Sequence, residues 1–215
     1  MAVKPEWWVL LPLKDTARGK SRIGGDPARR RELAVAMVKD TVAAALAAAS
    51  VRRVIVVCQR DADATTLGGS GAELAVLPGL SLNAALAAAA AAVRDRARRS
   101  NIAALPGDLP YLRGSELDIA LARSLDHRQV AVADRAGTGT TLLTAMAGVE
   151  LAPRYGPDSF RRHLVEGAVE LDIPIWSGLR HDVDTREDLV DSAALGAHTS
   201  GLLAQIGART HEVVA

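Results

Sequence analysis

Short apolar runs of β type alternate with helical patterns along this chain, and that alternation leaves few folds open. Trp7 to Leu11 reads as a first strand. Pro27 to Ala49 reads as a long helix, with Asp26 as its N-cap before Pro27. Arg53 to Cys58 is a buried strand by its continuous β-branched run. Glu73 to Leu77 is a short strand, and Asn83 to Arg98 an alanine-dense helix. Asn101 to Leu105 is a strand that ends at Pro106-Gly107-Asp108, and Gly114 to Ser124 a helix. Val130 to Ala133 and Thr140 to Ala145 are strands around a Gly137-Thr138-Gly139 turn. Asp158 to Glu170 reads as a helix, Ile173 to Ile175 as a strand, and Thr185 to Ala197 as the start of a last helix. The tail after Gly207 is expected to be loose. Strands that alternate with helices imply an α/β fold: a mostly parallel, doubly wound sheet covered on both faces. Ligands in such sheets bind beyond the carboxyl ends of the strands. The loops after Leu13, Leu77, Leu105 and Ala133 are therefore the places to look.

At 215 residues the chain suits one domain, 1–215. With 26 basic and 25 acidic residues the formal net charge is only +1, which argues against bulk binding to nucleic acid. The longest apolar run is too short and alanine-rich to span a bilayer. Cys58 is the only cysteine, so no intrachain disulfide forms. The polar start, Met1 to Glu6, does not resemble a signal peptide, and a cytoplasmic enzyme is expected.

Four segments carry the chemistry. Leu11-Pro12-Leu13-Lys14 continues through Arg18, Lys20 and Arg22, between the first strand and the first helix. Cations at a strand's carboxyl end suit a triphosphate. Gly19-Lys20-Ser21 looks like the end of a P-loop, but Lys14 stands where that motif needs glycine, so a Walker A site is rejected. In Leu105-Pro106-Gly107-Asp108-Leu109-Pro110, Asp108 ends a buried strand between two prolines. A carboxylate there can hold Mg²⁺, with waters and phosphates completing the octahedron; the plainer reading is a helix cap. Asp182 and Asp184 alternate along an extended segment, so their side chains face one way and suit a cation. Thr185 and Asp188 resemble a capping box with Asp for Glu. Last, Gly139-Thr140-Thr141 and Tyr155-Gly156-Pro157-Asp158-Ser159 offer hydroxyls, N–H groups and a helix start to a small anion. Gly137-x-Gly139 lacks the third glycine of a dinucleotide fingerprint. His163, beside Arg161 and Arg162, reads as a surface or acid-recognition residue.

Taken in order, these segments resemble the guanylyltransferases of coenzyme F420 biosynthesis, which act on phosphoenolpyruvate in bacteria and on 2-phospho-L-lactate in archaea. The likeness lies in LPLKDTARGKSRI (11–23), GLSLNAAL (79–86), LPGDLP (105–110), GTGTTLL (137–143), YGPDSFRRH (155–163) and DVDTREDL (182–189). It implies a GT-A-like Rossmannoid nucleotidyltransferase that condenses GTP with phosphoenolpyruvate to enolpyruvoyl-2-diphospho-5'-guanosine and pyrophosphate. It implies Thr141, with Thr140, Gly156 and Ser159 as contacts to the acid. Asp108 would be one metal aspartate, and Asp182 or Asp184 the other. Lys14, Lys20 and Arg22, with Leu13, would lie over the triphosphate, and Gly79 and Asn83 would hold the base and ribose. Lys14, Lys20 and Asp108 would carry the catalysis, with Mg²⁺ as cofactor and a homodimer possible. Alternatives are another nucleotide or acceptor on the same fold, or a silent nucleotide-binding module.

Overall fold

A computed structural model describes residues 6–13, 26–60, 65–189 and 193–212. Seven strands form one sheet: β1 (Trp7–Pro12), β2 (Val51–Cys58), β3 (Glu73–Val76), β4 (Asn101–Ala104), β5 (Val130–Ala133), β6 (Thr140–Ala145) and β7 (Val169–Glu170). Their order is β3-β2-β1-β4-β6-β5-β7. Only β6 runs against its neighbours; every other pairing is parallel.

The central strands are buried on both faces because they alternate between two apolar layers. In β1, Trp7, Val9 and Leu11 face one layer, and Trp8 and Leu10 the other. Helices α1 (Pro27–Ala47) and α3 (Gly114–Ser124) cover the first face through Val38, Val42, Leu117 and Leu121. Helices α2 (Leu82–Arg96) and α4 (Ser159–Val165) cover the second through Leu86, Val93 and Phe160. The last helix, α5 (Ala197–Glu212), packs on α1, where Leu33, Met37, Tyr111, Val183 and Leu195 form a third cluster. Among the described residues no helix is long and apolar enough to cross a membrane.

Asp26 caps α1 as expected, accepting from Arg29 N at 3.3 Å. The second half of the chain departs from expectation in three places. The helix opening near Asp158 ends at Val165, not Glu170. Gly167 adopts φ +98. Its N–H bonds to the Leu164 carbonyl, and that of Ala168 to the His163 carbonyl, a Schellman stop that releases Val169 into the sheet. Ile173 to Ile175 is not a strand: pairing with β5 is spent at Val169–Glu170, and Pro174 opens a turn whose carbonyl takes the Ser177 N–H. Nor does a helix run from Thr185. A single 3₁₀ turn, Glu187–Leu189, forms there, and α5 starts only at Ala197. That helix runs to Glu212.

The late start of α5 has a cause in α1. The buried Asp40 carboxylate accepts from His198 N at 2.9 Å and Thr199 N at 2.8 Å, two of the N–H groups a helix start leaves without partners. A Cβ on Gly196 would strike that carboxylate. We expect Asp40→Ala to cost roughly 1–3 kcal/mol in urea unfolding. Asp40→Asn keeps only one of the two acceptor oxygens and sets an amide N–H against the other donor, so it should recover only part of the loss. An alanine variant as stable as wild type would refute the cap.

Candidate active site

A cavity of about 370 Å³ opens at the carboxyl edge of the sheet. Its walls come from the end of β1 (Pro12, Leu13), the loop after β4 (Pro106, Gly107, Asp108), Asp134 after β5, the start of β6 (Gly139, Thr140), the segment Tyr155, Gly156 and Ser159, and Asp182 and Asp184. Met37 and Val38 of α1 and Leu82 of α2 add apolar surface.

Main-chain bonds bring the two acidic segments together. Val183 N donates to the Asp108 carbonyl at 3.0 Å, and Leu109 N to Thr41 Oγ1 at 3.1 Å. The Val183 side chain is fully buried in the third apolar cluster. With that residue turned inward, its neighbours Asp182 and Asp184 both reach the cavity, the same-face arrangement expected of them. The capping box forms in part. The Asp188 carboxylate accepts from Thr185 N at 2.7 Å, Thr185 Oγ1 at 3.0 Å and Asp184 N at 3.0 Å, bonds that pull its pKa down against the opposing effect of burial. Asp108, Asp182 and Asp184 thus line one cavity. Among the described residues no group of three or more His, Cys, Asp or Glu side chains forms a metal cage.

Hydroxyls line the same cavity. Ser159 Oγ lies 3.2 Å from Thr140 Oγ1, which lies 2.9 Å from His163 Nδ1. Helix α4 is only seven residues long and Asp158, at φ +54, makes no side-chain cap, so the hydroxyls rather than the helix start carry this part of it. Thr140 and Thr141 are neighbours on β6, so the alternation of the strand sends their side chains to opposite faces. Thr140 lines the cavity, whereas Thr141 is buried beside the Ala133 carbonyl.

Gly79 and Asn83 do not line the cavity among the described residues. Gly79 sits in a turn at φ +77. The Asn83 carboxamide is committed at both ends to Tyr155, donating to its carbonyl at 3.0 Å and accepting from its N–H at 2.8 Å. In this geometry Asn83 holds the Tyr155–Ser159 segment in place. Lys14, Lys20 and Arg22 lie outside the described residues.

Sequence reasoning missed Asp134, Tyr155 and the burial of His163. Asp134 closes the β5–β6 turn by accepting from Thr138 N at 2.9 Å and Gly139 N at 2.7 Å. An aspartate just ahead of Gly-Thr-Gly is the signal that identifies such a turn. A Cβ at Gly139 would collide with that carboxylate. Tyr155 donates to the Ala104 carbonyl at 3.1 Å, and burial pushes its phenol pKa up.

His163 corrects the expectation of a surface residue: it is 1% exposed. Arg154 N donates to its Nε2 at 2.8 Å, and the Tyr155 ring packs edge-on at 5.2 Å. Burial first, then the charges of Arg162 and Arg154, lowers its pKa to about 4, against the opposing pull of Glu166.

Among solved structures the chain is similar to a putative nucleotide-diphospho-sugar transferase from Desulfovibrio desulfuricans G20, with TM-score 0.69, 18% identity and coverage of 95% of this chain and 96% of that one. It is also similar to a Mycobacterium tuberculosis H37Rv protein solved in complex with manganese, with TM-score 0.58, 20% identity and coverage of 90% and 99%. The sheet is therefore of the GT-A-like type. In sequence it is 45% identical to the phosphoenolpyruvate guanylyltransferase of Streptomyces scabiei, over 89% of this chain and 92% of that protein. Residues 7–208 match the model of the family described as "Guanylyl transferase CofC like", and the chain belongs to that family.

The buried ring has a consequence for stability. In the unfolded chain a histidine takes up its proton near pH ~6.5, whereas folded His163 resists protonation until about 4. The stability supplied by the neutral ring is full above pH ~6.5 and drains away as pH falls toward ~4. Over that window we expect a loss on the order of 1–3 kcal/mol. His163→Gln should show a shallower loss in urea melts across the same range. Parallel slopes for the two proteins would contradict this.

Proposed function

We propose that the protein transfers guanylate from GTP to phosphoenolpyruvate, giving enolpyruvoyl-2-diphospho-5'-guanosine and pyrophosphate as a step in making coenzyme F420. One observation supports this most: Asp108, Asp182 and Asp184 line the same cavity as the hydroxyl residues Thr140 and Ser159. Two phosphorylated substrates can meet there, one held through metal on the carboxylates and the other by the hydroxyls. The naming of the Streptomyces scabiei relative points to the same pair of substrates.

In this reading a phosphate oxygen of the acid attacks the α-phosphorus of GTP. A new P–O bond forms while the bond from the α-phosphorus to the β-bridging oxygen breaks, and pyrophosphate leaves with that electron pair. The nucleophile needs no enzymatic base, because a phosphate monoester has its second pKa near ~6 and is largely dianionic at neutral pH. His163 fits that economy: its Nε2 is occupied by Arg154 N–H and its basicity is low. The work of the chain is positioning and charge stabilisation. Thr140, Gly156 and Ser159 hold the acid. Lys14 and Lys20, which lie between β1 and α1 in the sequence, neutralise charge on the departing pyrophosphate, with Leu13 and Arg22 beside the nucleotide. Asp108 and the Asp182–Asp184 pair are hard oxygen donors that fit Mg²⁺, which when bound supplies positive charge at the reacting phosphates.

A panel of four nucleoside triphosphates against phosphoenolpyruvate and 2-phospho-L-lactate, read by pyrophosphate release with Mg²⁺, tests the assignment. GTP with phosphoenolpyruvate should be the fastest pair. Asp108→Asn should lower that rate at least ~10²-fold while circular dichroism stays native. Nucleotide binding without pyrophosphate release from any pair would refute the reading. Near-normal turnover by the folded Asn variant would remove Asp108 from the catalytic set.

A further inference from the structure

We propose that His163 is a positioning residue: it sets the direction of the Thr140–Ser159 hydroxyl pair so that the pair turns one O–H donor toward the anionic acid. This rests on reading the Thr140 and Ser159 hydroxyls as the acid's site.

The argument is a count of protons. A backbone N–H can only donate, and Arg154 N lies 2.8 Å from His163 Nε2. Nε2 is therefore the acceptor and carries no proton. The neutral ring then keeps its proton on Nδ1, 2.9 Å from Thr140 Oγ1, and donates it there. Thr140 Oγ1 has thus accepted one bond, and its own proton remains to be placed. Ser159 Oγ lies 3.2 Å away. If Thr140 donates to Ser159, the Ser159 proton is left over. If Ser159 donates to Thr140, the Thr140 proton is left over. Either arrangement leaves one O–H for the cavity that both residues line. In the opposite tautomer Nδ1 would accept from Thr140, Ser159 could then donate to Thr140, and the pair could close on itself with no donor outward.

Burial keeps this arrangement in place. His163 is enclosed by the Tyr155 ring and by the backbone of Arg154. The charged groups around it are Arg162 and Arg154, which oppose a proton on the ring, and Glu166, which favours one but is ion-paired to Arg154 at 2.9 Å. The ring stays neutral at the pH where the acid is dianionic. An anion thus meets a donor, not a lone pair, and a donor to a charged group makes the stronger hydrogen bond.

Two variants separate positioning from simple support. Asn at 163 places an amide N–H near the Nδ1 position but leaves Arg154 N without its acceptor. Gln places an acceptor near Nε2 but loses the donor to Thr140. Steady-state pyrophosphate release with GTP and phosphoenolpyruvate, each varied in turn, reads the difference. We expect His163→Gln to raise KM for phosphoenolpyruvate roughly tenfold or more and to leave KM for GTP within about twofold. His163→Asn should stay within about threefold of wild type for both substrates, and in a Thr140→Val background His163→Gln should add little. Equal losses in Asn and Gln, a loss confined to GTP, or full additivity with Thr140→Val would overturn the proposal. Long-range ¹H–¹⁵N correlation of the imidazole in the wild-type protein near neutral pH requires neither turnover nor a folded variant. It should find Nδ1 protonated and Nε2 bare; an Nε2–H ring or an imidazolium would overturn the proposal. Wild type that turns over no phosphoenolpyruvate would instead refute the substrate assignment, and the NMR result would still judge His163.

Discussion

The direction of β6 is the constraint on which the rest of the site depends. The sheet's parallel strands β1, β4 and β5 deliver their carboxyl ends to one edge, as crossover connections require. Because β6 is antiparallel and inserted between β4 and β5, its first residue arrives at that same edge. Thr140 therefore opens a strand where Asp108 and Asp134 follow one. An all-parallel sheet would have put Thr140 at the far end of the molecule from the aspartates. The short Asp134–Gly139 turn makes the reversal, and its carboxylate–backbone bonds hold it closed.

Several acids of this chain are structural in a specific way: they accept main-chain N–H groups at points where elements meet. Asp40 ties α1 to α5, Asp118 ties α3 to Ala49 and Ser50 after α1, Asp134 closes the β5–β6 turn, and Asp188 holds Asp184 and Thr185. Buried polar groups are tolerated when bonded in this way. Around the cavity the result is a rigid frame: Asn83 pins Tyr155, Tyr155 reaches the β4 carbonyl of Ala104, and Val183 N bonds to Asp108. The cavity aspartates ride on that frame.

The first half of the fold was legible because its strands and helices announce themselves locally. The run before Cys58 is β-branched, Asp26 precedes Pro27, and alanine fills α2. The second half was harder because tertiary contacts outvote local pattern. Ile173 and Ile175 look like strand residues, yet β5 pairs earlier, at Val169 and Glu170. Thr185 looks like a helix start, yet the cap that begins α5 comes from Asp40, far away in sequence. For the site, Asp108, Asp182, Asp184, Gly156 and Ser159 were marked by motif and do share a cavity. Which threonine faces it was not readable, since the face each residue of β6 takes is set by its pairing with β4 and β5. Nor was the burial of His163, since two neighbouring arginines suggest a surface while the ring turns inward.

The central claim is that the acid's own phosphate attacks the α-phosphorus of GTP in a cavity that supplies position and charge but no base. Phosphoenolpyruvate labelled with ¹⁸O in its phosphate oxygens tests it directly, with both products read by ³¹P NMR and mass spectrometry. The account predicts label in the bridging oxygen of the new diphosphate and none in the released pyrophosphate. Labelled pyrophosphate, or free GMP in place of a diphosphate, would contradict it.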